Sequence, residues 1–236
     1  MKDIFGKALL DYYNSISTSS TTDAHIITST SISGEDVLPF AYLFRGFNEM
    51  PKIEKKALKL AKGKVLDVGC GSGSHSLYLQ KKGVNVKAFD ISEGAIEVSK
   101  KRGVLNAEVL NLLEETETFD TILLMMNGTG IFKELQQTSK YLKHLKGLLK
   151  PNGQILIDSS DIKYMYEDED GGFWIDTNAN YYGELDYFLS YKGEKEAPMK
   201  WLYLDFETLK LACETVGLKC ELILEGEHYD YLACLR

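Results

Sequence analysis

The stretch Lys64-Val65-Leu66-Asp67-Val68-Gly69-Cys70-Gly71-Ser72-Gly73-Ser74-His75 decides the fold. It opens as a short apolar run, crosses three glycines in alternate positions, and enters a segment with helical spacing, which reads as strand, tight turn and helix start. Glycine at 69, 71 and 73 keeps side chains off the inside of the turn. A ligand can then lie against backbone N–H groups at the mouth of a parallel sheet. Asp67 stands near the strand end, where a carboxylate repels a pyrophosphate but receives a cationic or hydroxyl-bearing ligand. A second apolar run, Val84 to Phe89, ends in Asp90, the place where such folds set an acid on ribose hydroxyls.

The dinucleotide-binding pattern G-x-G-x-x-G, laid on Gly69 and Gly71, requires glycine at position 74, where Ser74 stands. The spacing present is G-x-G-x-G preceded by an acid. In the form V-L-D-V-G-C-G-S-G it resembles motif I of the class I S-adenosylmethionine (SAM)-dependent methyltransferases.

Length and composition agree with a single α/β domain carrying an appendage. The chain has 236 residues, 44% of them hydrophobic and 26% charged. A net charge of −8 argues against a nucleic-acid partner, and the doublets Lys55-Lys56 and Lys81-Lys82 fall on amphipathic helices as solvated faces. No apolar run reaches the length of a membrane span, and the N-terminus lacks a signal-peptide core. Cys70, Cys213, Cys220 and Cys234 show neither zinc nor disulfide-framework spacing, so they are expected to be reduced thiols in a cytoplasmic protein. His25, His75, His144 and His228 are scattered, and no metal is expected.

Along the chain, Ile4, Phe5, Ala8, Leu9, Tyr12 and Tyr13 mark a short amphipathic helix. Ser15 to Ser33 reads as a flexible loop or a lid over bound ligand. Arg45, set among the aromatics from Phe40 to Phe47, calls for a fixed anionic partner, either a ligand carboxylate or a protein acid. Helices follow at Ile53–Ala61, Ser74–Lys82 and Glu93–Arg102, the last N-capped by Ser92. Third, fourth and fifth strands are expected over 107–112, 119–126 and 154–158, with a helix marked by Leu135, Leu142, Leu145 and Leu149 between the last two. A hairpin over 184–192 and 198–204 reads as an insertion after the fifth strand. Asp205 starts another helix, and the last two strands, 219–225 and 229–235, share a turn too short for anything but antiparallel pairing.

This order matches what the resemblance implies: a doubly wound, mostly parallel seven-stranded sheet with an antiparallel terminal hairpin. Residues 1–50 would be an N-terminal helix and lid, 51–236 the SAM-binding domain, and 159–204 a substrate-side insertion. By the same resemblance Gly69, the backbone of Cys70 and Gly71 line the methionine end of SAM, and Asp67 reaches its amino-acid portion. Asp90 accepts the ribose hydroxyls and Ile91 packs on the adenine. Asn111 stands where many relatives carry an acid for the adenine amino group, with Leu112 as a further adenine contact. Met126 and Asn127 lie near the methionine and the methyl group.

Methyl transfer from SAM is a displacement at an already activated methyl group, so the protein mainly aligns the reactants and excludes water. A general base is needed only for a protonated acceptor. Asn127, Asp158 and Asp161 are the candidates for that task or for orienting the acceptor. Asn127-Gly128-Thr129-Gly130 departs from the N-P-P-Y and D-P-P-Y of nucleobase and glutamine amino-methyltransferases. No acid follows the fourth strand as it does in metal-dependent catechol methyltransferases. The expected function is methyl transfer from SAM to a small-molecule acceptor, releasing S-adenosylhomocysteine. Its rivals are a non-catalytic SAM-binding protein and a protein methyltransferase that docks its partner on the aromatic insertion (Tyr181, Tyr182, Tyr187, Tyr191, Trp201, Tyr203). These aromatics serve either as hairpin core or as walls of an acceptor pocket. A NAD-dependent oxidoreductase is opposed by Ser74 and the terminal hairpin.

Overall fold

A computed structural model describes residues 2–17, 25–168, 170–174 and 180–236. The chain begins with α1 (Ile4–Ser17), β1 (His25–Thr30), β2 (Ser33–Pro39), the single turn α2 (Phe40–Leu43) and α3 (Lys52–Leu60). It continues through β3 (Lys64–Val68), α4 (Ser74–Lys81), β4 (Asn85–Asp90), α5 (Glu93–Arg102), β5 (Ala107–Val109), β6 (Phe119–Leu124), α6 (Leu135–Gly147) and β7 (Leu149–Ser160). The last part comprises β8 (Glu184–Tyr191), β9 (Glu194–Lys195), β10 (Met199–Leu202), α7 (Phe206–Thr215), β11 (Cys220–Glu225) and β12 (Asp230–Leu235).

Seven strands form the main sheet in the order β11-β12-β7-β6-β3-β4-β5. β3 to β7 run parallel, and β12 lies antiparallel between β7 and β11, with Leu232 opposite Asp158. The central strands are apolar on both faces because helices cover both. Leu66, Val68, Ile122, Leu124, Ile155 and Ile157 join one core with Leu142 and Leu145 of α6 and Leu209 of α7. The alternate residues Val65, Leu123, Leu156 and Leu232 join another with Ile53, Ala57 and Leu58 of α3 and Leu79 of α4. This period of two assigns Asp67, Asp158 and Asp230 to the α3/α4 face of the sheet's carboxyl edge. Gly73 starts α4 at φ 83°, and a Cβ there would stand 2.7 Å from Val104 Cγ2, so only glycine turns the chain here. Among the described residues no helix is long and apolar enough to cross a membrane.

The N-terminal region departs from the expected loop. α1 runs to Ser17, residues 18–24 of that segment lie outside the described residues, and from His25 the chain forms a hairpin. β-Branched Ile26, Ile27, Thr28 and Thr30 suit a pleated strand, and Ile26 is fully buried. β1 also pairs with β8, Ile27 opposite Ser190, so a second sheet runs β10-β8-β1-β2, with β9 beside β8. The expected insertion hairpin is present, with Tyr187 opposite Met199, but it is one half of this larger sheet.

Three strand ends also differ. β5 stops at Val109, because Asn111 accepts a hydrogen bond from Leu113 N (3.0 Å) and opens a 3-10 turn. β6 stops at Leu124, since Met126 (φ 66°) and Asn127 (φ 62°) take left-handed backbone conformations. β7 begins five residues early, at Leu149, and carries the Pro151-Asn152-Gly153 turn as an irregularity in its pairing with β6.

Candidate active site

The two acids expected to face a cofactor lie on adjacent parallel strands, β3 and β4, whose ends are paired Val68 to Phe89. Asp90 Oδ2 accepts the Gly71 N–H at 2.9 Å and Oδ1 accepts the Ser92 N–H at 3.0 Å. Burial pushes this carboxyl above its usual range, and the backbone bonds oppose that rise. Cys70 N donates to Phe89 O and Gly73 N to Cys70 O, which closes the turn on itself. Asp67 is buried and accepts the Ser76 hydroxyl from the first turn of α4 at 2.5 Å; burial raises its pKa as well. Burial pushes the Cys70 thiol far up, so Cys70 serves the turn as a small residue rather than as a nucleophile. Arg102 fastens the turn from outside, donating to Ser72 O (2.7 Å) and Phe44 O (3.1 Å). Leu43 O accepts the hydroxyls of Ser72 and Ser74.

These residues suit a nucleoside-bearing cofactor. The backbone is bare at Gly69 and Gly71, Asp90 can accept further hydrogen bonds, and Ile91 is an apolar side chain left 74% exposed at a strand end. At the end of β5, Asn111 is exposed with its carbonyl engaged by Leu113 N, whereas Leu112 is buried in the core that includes Val68 and Phe89.

The remaining candidates separate. Asp158, at the end of β7, accepts the N–H groups of Met126 (3.0 Å) and Gly128 (2.9 Å). Burial outweighs those bonds and lifts its carboxyl to about 6. It borders a cavity of about 260 Å³ whose other walls include Tyr42, Ile53, Glu54, Met126 and Asp230. Asn127 points elsewhere: its amide donates to Leu202 O (3.3 Å) and its carbonyl accepts the Ser159 hydroxyl (3.1 Å). Asp161 accepts the Tyr182 hydroxyl (2.8 Å) and the Lys163 N–H (2.9 Å), and it is not among the cavity's lining residues.

The insertion's aromatics behave mainly as core. Tyr181 donates to Asp205, and Trp201 covers Gly130, where a Cβ would stand 2.1 Å from the ring. Among the described residues the aromatic on the cavity wall is Tyr42, from the N-terminal region.

Sequence reading missed a buried charged trio. Arg45 finds its anion in a protein acid, Glu54 of α3, and stacks on Tyr42 with Cζ 3.8 Å from the ring centre. The other Glu54 oxygen meets His75 Nε2 at 2.7 Å. Burial alone would raise the Glu54 pKa, but His75 and Arg45 bring it below its ordinary value. Burial alone would lower His75, but Glu54 and Asp67 raise it. The one signal available beforehand was Arg45 itself, isolated among aromatics.

A family profile described as a methyltransferase domain matches residues 65–153. The crystal structure of a SAM-dependent methyltransferase from Bacteroides fragilis, in complex with S-adenosyl-L-homocysteine, superposes with a TM-score of 0.91. The two sequences are 44% identical, over 100% of this chain and 94% of that one. The chain belongs to the class I SAM-dependent methyltransferases. Its cofactor is SAM. Among curated relatives, this methyltransferase is 31% identical over 106 residues to a mitochondrial ubiquinone biosynthesis O-methyltransferase of Schizosaccharomyces pombe. That match covers 41% of this chain and 37% of the relative. It is 26% identical over 115 residues to the ubiquinone biosynthesis O-methyltransferase of Rickettsia felis, over 46% of each chain. The chain thus spans less than half the length of these two curated relatives.

Proposed function

We propose that this methyltransferase transfers the methyl group of SAM to a small-molecule acceptor that enters the cavity beside Asp158. The observation that carries this reading is a buried carboxylate, fixed by two backbone N–H groups and with its pKa lifted to about 6, on the wall of a cavity that also includes Met126. Asp67, Gly69, the Cys70 backbone, Gly71, Asp90 and Ile91 would hold SAM, with Asn111 and Leu112 at the adenine end and Met126 and the backbone of Asn127 at the methyl end. Bound there, SAM supplies a methyl group already activated by its sulfonium. Asp158 then takes the proton of an acceptor hydroxyl or amine as its lone pair forms the new bond to carbon. Asn127, held by Leu202 and Ser159, keeps the β6 end rigid, and Asp161 positions Tyr182 outside the cavity. A hydroxyl acceptor is the finer reading, in line with the names of the ubiquinone O-methyltransferases. Unpaired thiols at Cys70, Cys213, Cys220 and Cys234 support a cytoplasmic setting.

The test is label transfer from methyl-labelled SAM to panels of phenols, alcohols and amines, with Asp158→Asn alongside the wild type. Label in a small molecule is expected. The wild-type rate should climb with pH through about 6 as Asp158 ionises. Asp158→Asn should lose roughly a hundredfold in kcat and that pH limb together, with S-adenosylhomocysteine affinity retained. Tight cofactor binding without label transfer to any panel would leave a non-catalytic binder. Label in protein alone would turn attention to the exposed Phe173 and Trp174 (82% exposed) as a docking site for a protein acceptor.

A further inference from the structure

We infer that the N-terminal helix α1 is a built part of the cofactor site, with Phe5 as its contact to the adenosine portion of SAM. This rests on the cofactor reading above and adds a wall to it that the glycine motif does not contain.

Three observations fix α1 where it lies. Gly6 of α1 meets Gly94 of α5 backbone to backbone: a Cβ at position 94 would stand 2.5 Å from the Gly6 carbonyl carbon. Only glycine at 94 permits that approach, and a Cβ on Gly6 would stand 2.5 Å from the Ser92 hydroxyl oxygen. Asp3 then caps both helices at once, accepting the N–H of Gly6 (2.8 Å), the N–H of Gly94 (2.9 Å) and the hydroxyl of Ser92 (2.8 Å). Ser92 in turn gives its N–H to Asp90, the expected ribose acid. From the outer side, the second sheet presses α1 down. Lys7 pairs with Glu194, and Tyr191 donates to Asp11 at 3.2 Å.

Phe5 immediately precedes the Gly6 contact, and that placement aims its ring at the glycine turn. Its Cζ is 3.9 Å from the point a Cβ would occupy on Gly71. The ring is half-buried, with one part packed against the core around Leu9, Phe40 and Val98. An aromatic ring over a bare glycine, one residue from the helix crossing that also orients Asp90, suits the flat and partly apolar adenosine and excludes water from the ribose hydrogen bonds. Gly71 begins at the methionine end of the turn but donates its N–H to Asp90 Oδ2 at 2.9 Å, so a ring over it reaches the ribose side of SAM.

The experiment is calorimetric titration of the full chain with S-adenosylhomocysteine and with adenosine, for wild type, Phe5→Ala, Phe5→Leu, Phe5→Tyr and Asp90→Ala. Phe5→Ala should weaken both ligands by roughly tenfold, as loss of a buried ring contact does. Phe5→Tyr, which keeps the ring, should stay within about twofold of wild type. Phe5→Leu keeps the apolar packing of α1 without the ring and carries the test if the alanine variant does not fold. S-adenosylhomocysteine binding by Phe5→Ala or Phe5→Leu that is unchanged, or tighter, overturns the role of α1. Undiminished binding by Asp90→Ala, or no binding by wild type, overturns the cofactor reading itself and the inference with it.

Discussion

Replacing Glu54 by alanine tests the buried charged trio most directly. Glu54, Arg45 and His75 are 3%, 5% and 7% exposed, and the one carboxylate serves both cations. Its removal leaves a guanidinium that cannot shed its charge in a site closed to water, and breaking a buried pair from one side costs about 3–5 kcal/mol. His75 relieves part of this by giving up its proton, since burial without Glu54 lowers its pKa, so the lower end, about 3 kcal/mol, is expected. For a chain of this length that lowers Tm by about 6–12 °C. The dependence on pH has a definite sign. His75 holds its proton more tightly when folded, so its share is full below its ordinary value of 6.5 and is lost as pH rises through the raised folded value. Glu54 holds its proton less tightly, so its share is present above its ordinary 4.5 and is lost as pH falls through the lowered folded value. The Tm gap between wild type and Glu54→Ala, measured by scanning calorimetry from pH 4 to 9, should therefore be widest between those limits. A double replacement, Arg45→Met with Glu54→Met, should be milder than Glu54→Ala, because it removes both charges. A gap below about 2 °C across the whole range would refute the reasoning, since a buried uncompensated arginine cannot be that cheap.

Gly94→Ala puts a methyl group into the Gly6 backbone and should cost about 1–3 kcal/mol as overpacking, with faster amide exchange in α1 but not in α6. Equal exchange in both would mean that α1 tolerates the displacement. Cys70, buried with its thiol pushed far up, should resist alkylation in the folded protein, whereas Cys220, half-buried and lowered by its neighbour Cys213, should react first. Peptide mass spectrometry after a timed iodoacetamide pulse reads the order, and early labelling of Cys70 would contradict its enclosure.

Most of the fold is legible in the chain because its determinants are local. Doubly covered strands such as Phe119 to Leu124 are continuous runs of apolar residues, glycines and caps such as Ser92 and Asp205 punctuate them, and the short turn before Tyr229 forces the last pair antiparallel. The clustering of Asp67, Gly71 and Asp90 was legible for the same reason, since strand order carries each to a known edge. Pairing of β1 with β8 was not, because nothing within a strand names a partner far along the chain. Glu54 was hidden by its residue type: its spacing from Ala57 and Leu58 places it on the buried face of α3, but a glutamate in a lysine-rich helix reads as solvated until Arg45 and His75 are seen to pair with it. Asn127 and Asp158 looked alike as polar residues at strand ends. The left-handed backbone at Met126 and Asn127 turns one toward β10 and leaves the other at the cavity.

The union of β1 with β8 carries a consequence for how the molecule is made. Ile27 and Ser190 are hydrogen-bonded neighbours in the sheet but about 160 residues apart along the chain. As the polypeptide emerges from the ribosome, the first hairpin appears with one edge unsatisfied, and its partner arrives only after the whole parallel core has been synthesised. The core can condense in the meantime from neighbouring βα units, whose loops are short to close. The outer sheet cannot close before β8 is made, and until it does, Ile26 and Phe40 remain without their Leu189 and Tyr191 neighbours in the third core. During that interval the nascent chain presents an unpaired strand edge to any neighbour, the kind of surface through which incompletely folded chains aggregate.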